Sequence, residues 1–311
     1  MISTRTIRNL KNELSRSFLA KLGLILVGGA IFVAVLAPLL APHDPTQQML
    51  QVRNQPPVFL GGTWEYPLGT DALGRDMLSR VIYGARTSLL VGVVASGFGA
   101  LVGIGIGIIS GYYRGWIDDV AMRSVDVSLA IPGLVLALTI FSIIGPIAIN
   151  IPDPIVALGF AQEMPDSFTF PGTVAFVIGV IAVRQFARLA RGEALSVREE
   201  EYVKSSEAAG ASNIRVMFIH VLPNTMTPLL VFWTLRLAHA ILTESTLSFL
   251  GFSGTTLSWG YDISAGRDYL GTAWWIASVP GVAILFAVIG VNLLGDWLRD
   301  ALDPGLQEGY E

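Results

Sequence analysis

Apolar residues fall in long unbroken runs along most of this chain, separated by short polar segments. A helix needs about 20 mostly apolar residues to cross a bilayer. Residues 22–41, 88–110 and 127–149 meet that length. Residues 168–183 are shorter, but the helical pattern continues through Arg184, Arg188 and Arg191, whose aliphatic stems can reach the interface. Residues 225–251 form a fifth run despite Arg236, His239 and Glu244, and residues 274–294 a sixth. The first run is too long for a signal peptide and no small-residue cleavage site follows it, so it reads as an anchor. The pattern predicts an all-α integral membrane protein with six transmembrane helices.

Two polar segments carry helical patterns of their own. In residues 71–85, Asp71 with Arg75 and Asp76 with Arg80 are i,i+4 pairs, and Leu73, Met77, Leu78, Val81 and Ile82 form an apolar stripe, predicting an amphipathic helix at the membrane surface. Residues 191–224 predict a short helix with Glu199, Glu200 and Glu201 early in it, a break at Gly210, a second short helix capped by Ser212, and a stop at Pro223. Within the second span Gly99, Gly103, Gly107 and Gly111 recur at strict fours, a face that lets another helix approach closely.

Lys and Arg set the expected orientation. With the N-terminus inside, the inner segments hold fourteen basic residues and the outer segments five, Arg236 lying within a span. The expected organisation is a cytoplasmic segment 1–21, an anchor 22–41, an extracytoplasmic loop 42–87, a five-helix core 88–298 containing a cytoplasmic loop 193–224, and a cytoplasmic tail 299–311.

Composition agrees: 52% of residues are hydrophobic, 14% are charged, and 33 are glycine. There is no cysteine, so disulfides and thiolate metal sites are excluded. His43, His220 and His239 have no metal-ligand spacing. No lysine follows a glycine, so the chain has no P-loop, and no catalytic constellation stands out. Arg236, His239 and Glu244 are costly in lipid and should face protein or water. They, with Asp126, are candidates for a translocation path; the alternative is a set of ion pairs between helices or with a partner.

Four segments together resemble the second (C-type) membrane subunit of the dipeptide/oligopeptide/nickel family of ABC permeases: residues 68–88 (Leu68-Gly-Thr-Asp-Ala-Leu-Gly-Arg75), 122–132 (Met122 to Pro132), 187–251 (Ala187 to Gly251) and 292–304 (Asn292-Leu-Leu-Gly-Asp-Trp-Leu-Arg299 to Pro304). The literal Glu207-Ala208-Ala209 is out of register with the family's Glu-Ala-Ala motif, which stands six to four residues before the glycine. Gly210 therefore aligns it with Lys204, Ser205 and Ser206, lysine replacing the usual acid.

The resemblance implies the type I ABC importer fold and a coupling helix entering the ATPase through Glu201, Tyr202, Lys204, Ser205, Ser206, Glu207, Gly210, Ala211 and Ser212. It implies a second, B-type permease, two cytoplasmic ATPases that bind ATP and Mg, an external solute-binding protein and a peptide substrate. This chain would hold no cofactor, catalyse nothing itself and bind no nucleic acid. Nickel, glutathione and oligosaccharide remain alternative solutes within the family. An ion-coupled secondary transporter, using Glu244 or Asp126, and a membrane enzyme are the rivals of other classes.

Overall fold

A computed structural model describes residue 14 and residues 17–302. Most of the expected terminal segment 1–21 and the tail after Leu302, including Pro304, lie outside the described residues. Among those described, five helices are long and apolar enough to cross a membrane, and a bent pair would make a sixth span.

The first helix, α1 (Phe18–Val35), starts where the Ser17 hydroxyl accepts a hydrogen bond from the Ala20 amide, and is followed by one turn, α2 (Ala37–Leu40). The second span is α3 (Met77–Tyr113), whose 37 residues extend beyond the hydrocarbon at both ends. The Asp76 side chain caps it by accepting from the amides of Leu78 and Ser79. There is thus no separate amphipathic helix over 71–85. Gly74 takes a positive φ of +74°, and the Asp71–Arg75 pair closes a turn rather than a helical face. Arg80 does not meet Asp76. It reaches Asp262 on α10, introduced below.

The expected third span is broken. Helix α4 (Gly115–Ala130) and helix α5 (Gly133–Ile144) meet at 98°. Pro132 crowds the residue before it out of helical geometry, and Ile131 is extended, with ψ 124°. The fourth span also differs at its start. Residues 167–171 are strand, β2 (Ser167–Pro171), antiparallel to β1 (Ala148–Pro152), with Ala148 opposite Pro171; one turn, α6 (Pro154–Ala157), lies between them. Helix α7 (Gly172–Arg198) begins only after Pro171 and runs 27 residues.

A short helix, α8 (Glu201–Ala208), leads to α9 (Asn213–Phe249), 37 residues containing a π-helical turn at Met217–Val221. Pro223 does not stop it. The residue lies just after the π segment, where the regular i→i−4 ladder is already interrupted. The last helices among the described residues are α10 (Trp259–Gly266) and α11 (Trp275–Leu302).

The glycine face of α3 packs on α7. A Cβ on Gly99 would stand 2.4 Å from the Ala182 Cβ, one on Gly103 2.5 Å from the Phe186 Cβ, and one on Gly107 2.4 Å from the Ala187 carbonyl oxygen. Backbones this close leave no room for a side chain. The arginines of α7 meet partners on the neighbouring helix. Arg184 donates to the carbonyls of Ser128 and Ile131, satisfying the frayed end of α4 at the bend. Arg188 pairs with Asp126 and Arg191 with Asp118. Three arginines on one helix hold the broken span in place.

The hairpin is fastened to the opposite end of the bundle. Asp153 is fully buried; it caps α6 and pairs with Arg86 of α3, whose Nε donates to the Ala34 carbonyl at 2.7 Å. Nearby, Arg80 and Asp262 are each 2% exposed in their side chains, and the second Arg80 amino group donates to the Pro45 carbonyl at 3.0 Å.

Candidate functional site

The segment between α7 and α9 is built as a platform with one buried anchor. In α8 only Val203 is fully buried; it joins Ile108 and Tyr112 of α3, Ala190 and Ala194 of α7, and Val216 and Met217 of α9. Glu201, Tyr202, Lys204, Ser205 and Ala208 are exposed, and Ser206 and Glu207 half-buried.

The helix ends in a Schellman motif. The Gly210 amide donates to the Glu207 carbonyl and the Ala211 amide to that of Ser206, with Gly210 left-handed at φ +83°. No atom lies within 4 Å of where a Gly210 Cβ would be, so backbone conformation alone requires glycine there. Ser212 stands at the N-cap of α9 in extended geometry, but its side chain makes no capping hydrogen bond, contrary to the sequence expectation. Of the three consecutive acids, only Glu201 lies in the first turn of α8. Glu199 closes α7 and Glu200 precedes α8.

Polar ties fix the platform's inner edge. Tyr112 bonds through its hydroxyl to Glu207 at 3.0 Å and Asn213 at 3.2 Å, while Arg198 lies over its ring. Ser206 Oγ is 3.3 Å from His220 Nε2. Lys204, at the family motif's acid position, pairs with Glu199 at 3.0 Å, and Arg114 pairs with the same carboxylate. Acid is therefore present beside this position, supplied by a neighbour. Hydrogen bonding to Arg114, then Lys204, holds the Glu199 carboxyl down to about 2. Because this value is depressed, the contact is complete above the ordinary carboxylate range and is lost only as pH falls through about 2. Sequence reasoning overlooked Glu199, Arg198, Tyr112 and His220 as supports. Glu199 and Arg198 carried a signal, as charged groups at the start of the segment; Tyr112 and His220 lie too far along the chain to be read as its supports.

The candidate path residues do not form one cluster. Arg236 bonds to Gln185 of α7 and lies over the Phe232 ring, while its Nε is buried without a partner. His239, one turn on, is exposed. Asp126 pairs with Arg188, which lines the same cavity of about 520 Å³ as Gln185 and Phe232, the neighbours of Arg236. Glu244 is sealed within the protein at 0% exposure, accepting from Ser248 at 2.7 Å and Ser245 at 3.3 Å, with the hydroxyls of Ser88 and Ser258 also directed at it. An Arg236–Glu244 charge pair is not formed. Glu244 joins α9 to α3 and to the start of α10.

Among the described residues no group of three His, Cys, Asp or Glu could hold a metal ion. What the geometry defines is a multi-span membrane protein that presents a small, rigidly seated helix at one end of its bundle. Residues 103–308 match the family described as binding-protein-dependent transport system inner membrane component, and residues 11–57 match the N-terminal TM domain of oligopeptide transport permease C. The chain is 38% identical over 92% of its length to the di/tripeptide transport system permease protein DppC of Pseudomonas aeruginosa, of which it covers 88%. It is 37% identical over 93% to the dipeptide transport system permease protein DppC of Haemophilus influenzae, covering 91% of it, and 38% identical over 93% to that of Escherichia coli K12, covering 90%. The chain belongs to the family of binding-protein-dependent transport system inner membrane components, with the type I importer permease fold. It is a permease subunit of an ABC transport system.

Proposed function

We propose that this permease carries di- and oligopeptides inward, paired with a second, B-type permease, above two cytoplasmic ATPases that bind ATP and Mg, and below an external binding protein that delivers the solute. The names of the relatives support peptide as the solute. The orientation proposed has both termini and α8 in the cytoplasm, following the Lys/Arg asymmetry.

The observation that carries the coupling role is the exposed face of Glu201, Tyr202, Lys204 and Ser205, seated on buried Val203 and ended by left-handed Gly210. A surface so supported transmits force, because it has no soft loop beneath it. Ala211 and Ser212 continue it toward α9, and Ser206 and Glu207 set its angle through His220 and Tyr112. Arg236 and His239 remain the residues of α9 proposed to face the solute path.

Gly210→Val forces a β-branched residue into left-handed geometry, at about 1–3 kcal/mol, and Ser205→Trp places bulk on the exposed face. Both variants should insert normally yet co-purify with less ATPase and lose ATP-driven peptide uptake in proteoliposomes of the whole complex. Unchanged ATPase retention and uptake in both would reduce α8 to a connector.

Orientation has its own check, made clean by the absence of native cysteine. A cysteine replacing Trp64, 82% exposed at the hairpin end, should react with an impermeant thiol reagent added to intact cells, and one replacing Ser205 should not. The reverse labelling would turn the molecule over.

A further inference from the structure

A cavity of about 420 Å³ opens between α3 and the π-helical part of α9. Leu101, Ile104 and Ile108 form one wall and Phe218, Leu222 and Met226 the other; no polar side chain lines it. It opens sideways from the bundle, since Leu101 is 77% and Phe218 63% exposed. Gly105 is part of the wall, and nothing lies within 4 Å of where its Cβ would be. Unlike Gly103 and Gly107, it faces empty space.

One turn before Phe218, Arg215 is exposed and belongs to none of the ion pairs among the described residues. From Arg215 to Met226 is eleven residues, or about 16 Å along a helix. That is close to half of the ~30 Å hydrocarbon thickness. In the orientation proposed above, the groove thus has about the depth of one leaflet and a wholly apolar lining, and Arg215 stands on the same helix about one turn beyond its cytoplasmic end.

We infer that this groove binds one anionic phospholipid, an acyl chain filling the cavity and the phosphate meeting Arg215. The apolar length matches a chain, and the terminal guanidinium complements a phosphate. The site also touches the coupling platform. Met217 both lines the cavity and packs in the cluster that seats Val203 of α8. Occupancy would back the π-helical turn from the lipid side, and π turns are frequent at functional sites.

The test is native mass spectrometry of the full chain released from nanodiscs of mixed phosphatidylglycerol and phosphatidylethanolamine. The wild type should retain one phospholipid with preference for phosphatidylglycerol. Gly105→Phe, which fills the cavity from its open side, should lower retention about tenfold while the thermal midpoint in detergent holds. Arg215→Gln should keep the lipid but lose several-fold of the headgroup preference that one interfacial cation supplies. Unchanged retention and unchanged preference in both variants would overturn the assignment. So would efficient cross-linking of a Leu101→Cys variant to a second protein chain in native membranes, because the groove would then be a protein interface.

Discussion

Gly103→Leu should yield no correctly assembled bundle, whereas Gly105→Ala, two residues on in the same helix, should assemble and melt at or above the wild-type temperature. A Cβ at position 103 would lie 2.5 Å from the Phe186 Cβ and 2.6 Å from the Val183 carbonyl oxygen. The second of these is backbone, so no rotamer change relieves it. Typical overpacking costs about 1–3 kcal/mol, and here α3 and α7 would have to separate along the whole glycine face. Gly105 meets nothing within 4 Å, and alanine there gains up to about 1 kcal/mol of helix propensity. Fluorescence-detected size exclusion before and after heating in detergent measures both. A monodisperse, heat-stable Gly103→Leu protein would show that the close approach is not required.

The second large effect concerns Arg80 and Asp262, which join α3 to α10 across 182 positions of sequence. Asp262→Ala leaves a guanidinium 2% exposed without its carboxylate, though still in contact with the Pro45 carbonyl and the Tyr261 ring. Removing one partner of a buried pair costs about 3–5 kcal/mol, whereas replacing both by apolar residues of similar volume is often neutral. Asp262→Ala should therefore lower the melting temperature sharply, and Arg80→Met with Asp262→Leu should restore most of it. If the double variant melts no higher than the single one, the pair has a role beyond cancelling its own burial.

Spans whose only demand is apolar length were legible: α1, α3, α9 and α11 lie where the hydrophobic runs are. The glycine periodicity also announced the face on which α7 packs, because a four-residue repeat of missing side chains has a direct geometric meaning. Local spacing misled where the true partner was remote. Asp76 and Arg80 have ideal helical separation, yet the cap takes Asp76 and Asp262 takes Arg80. Hydropathy cannot register direction, so the run through Ile131 and Pro132 looked straight although the proline imposes a right-angle turn. At the platform, Gly210 was readable from its required backbone state. The Glu199 contact with Lys204 was not, since it depends on where α7 ends.

The unbroken length of α7 has a mechanical consequence. Twenty-seven residues make a rod of about 40 Å, laid against the bare face of α3 from Gly179 to Ala194. A rod held over that length does not pivot on its neighbour; the two helices move as one stiff beam. Tilting the beam by about 5° about its midpoint would carry each end of α7 roughly 2 Å, in opposite directions. One end supports α8, and the other begins at the hairpin. The elbow of α4 and α5 rides on the beam through Arg184, Arg188 and Arg191. A displacement applied at α8 therefore reaches the elbow and the hairpin as one rocking movement, without any intervening segment having to unfold.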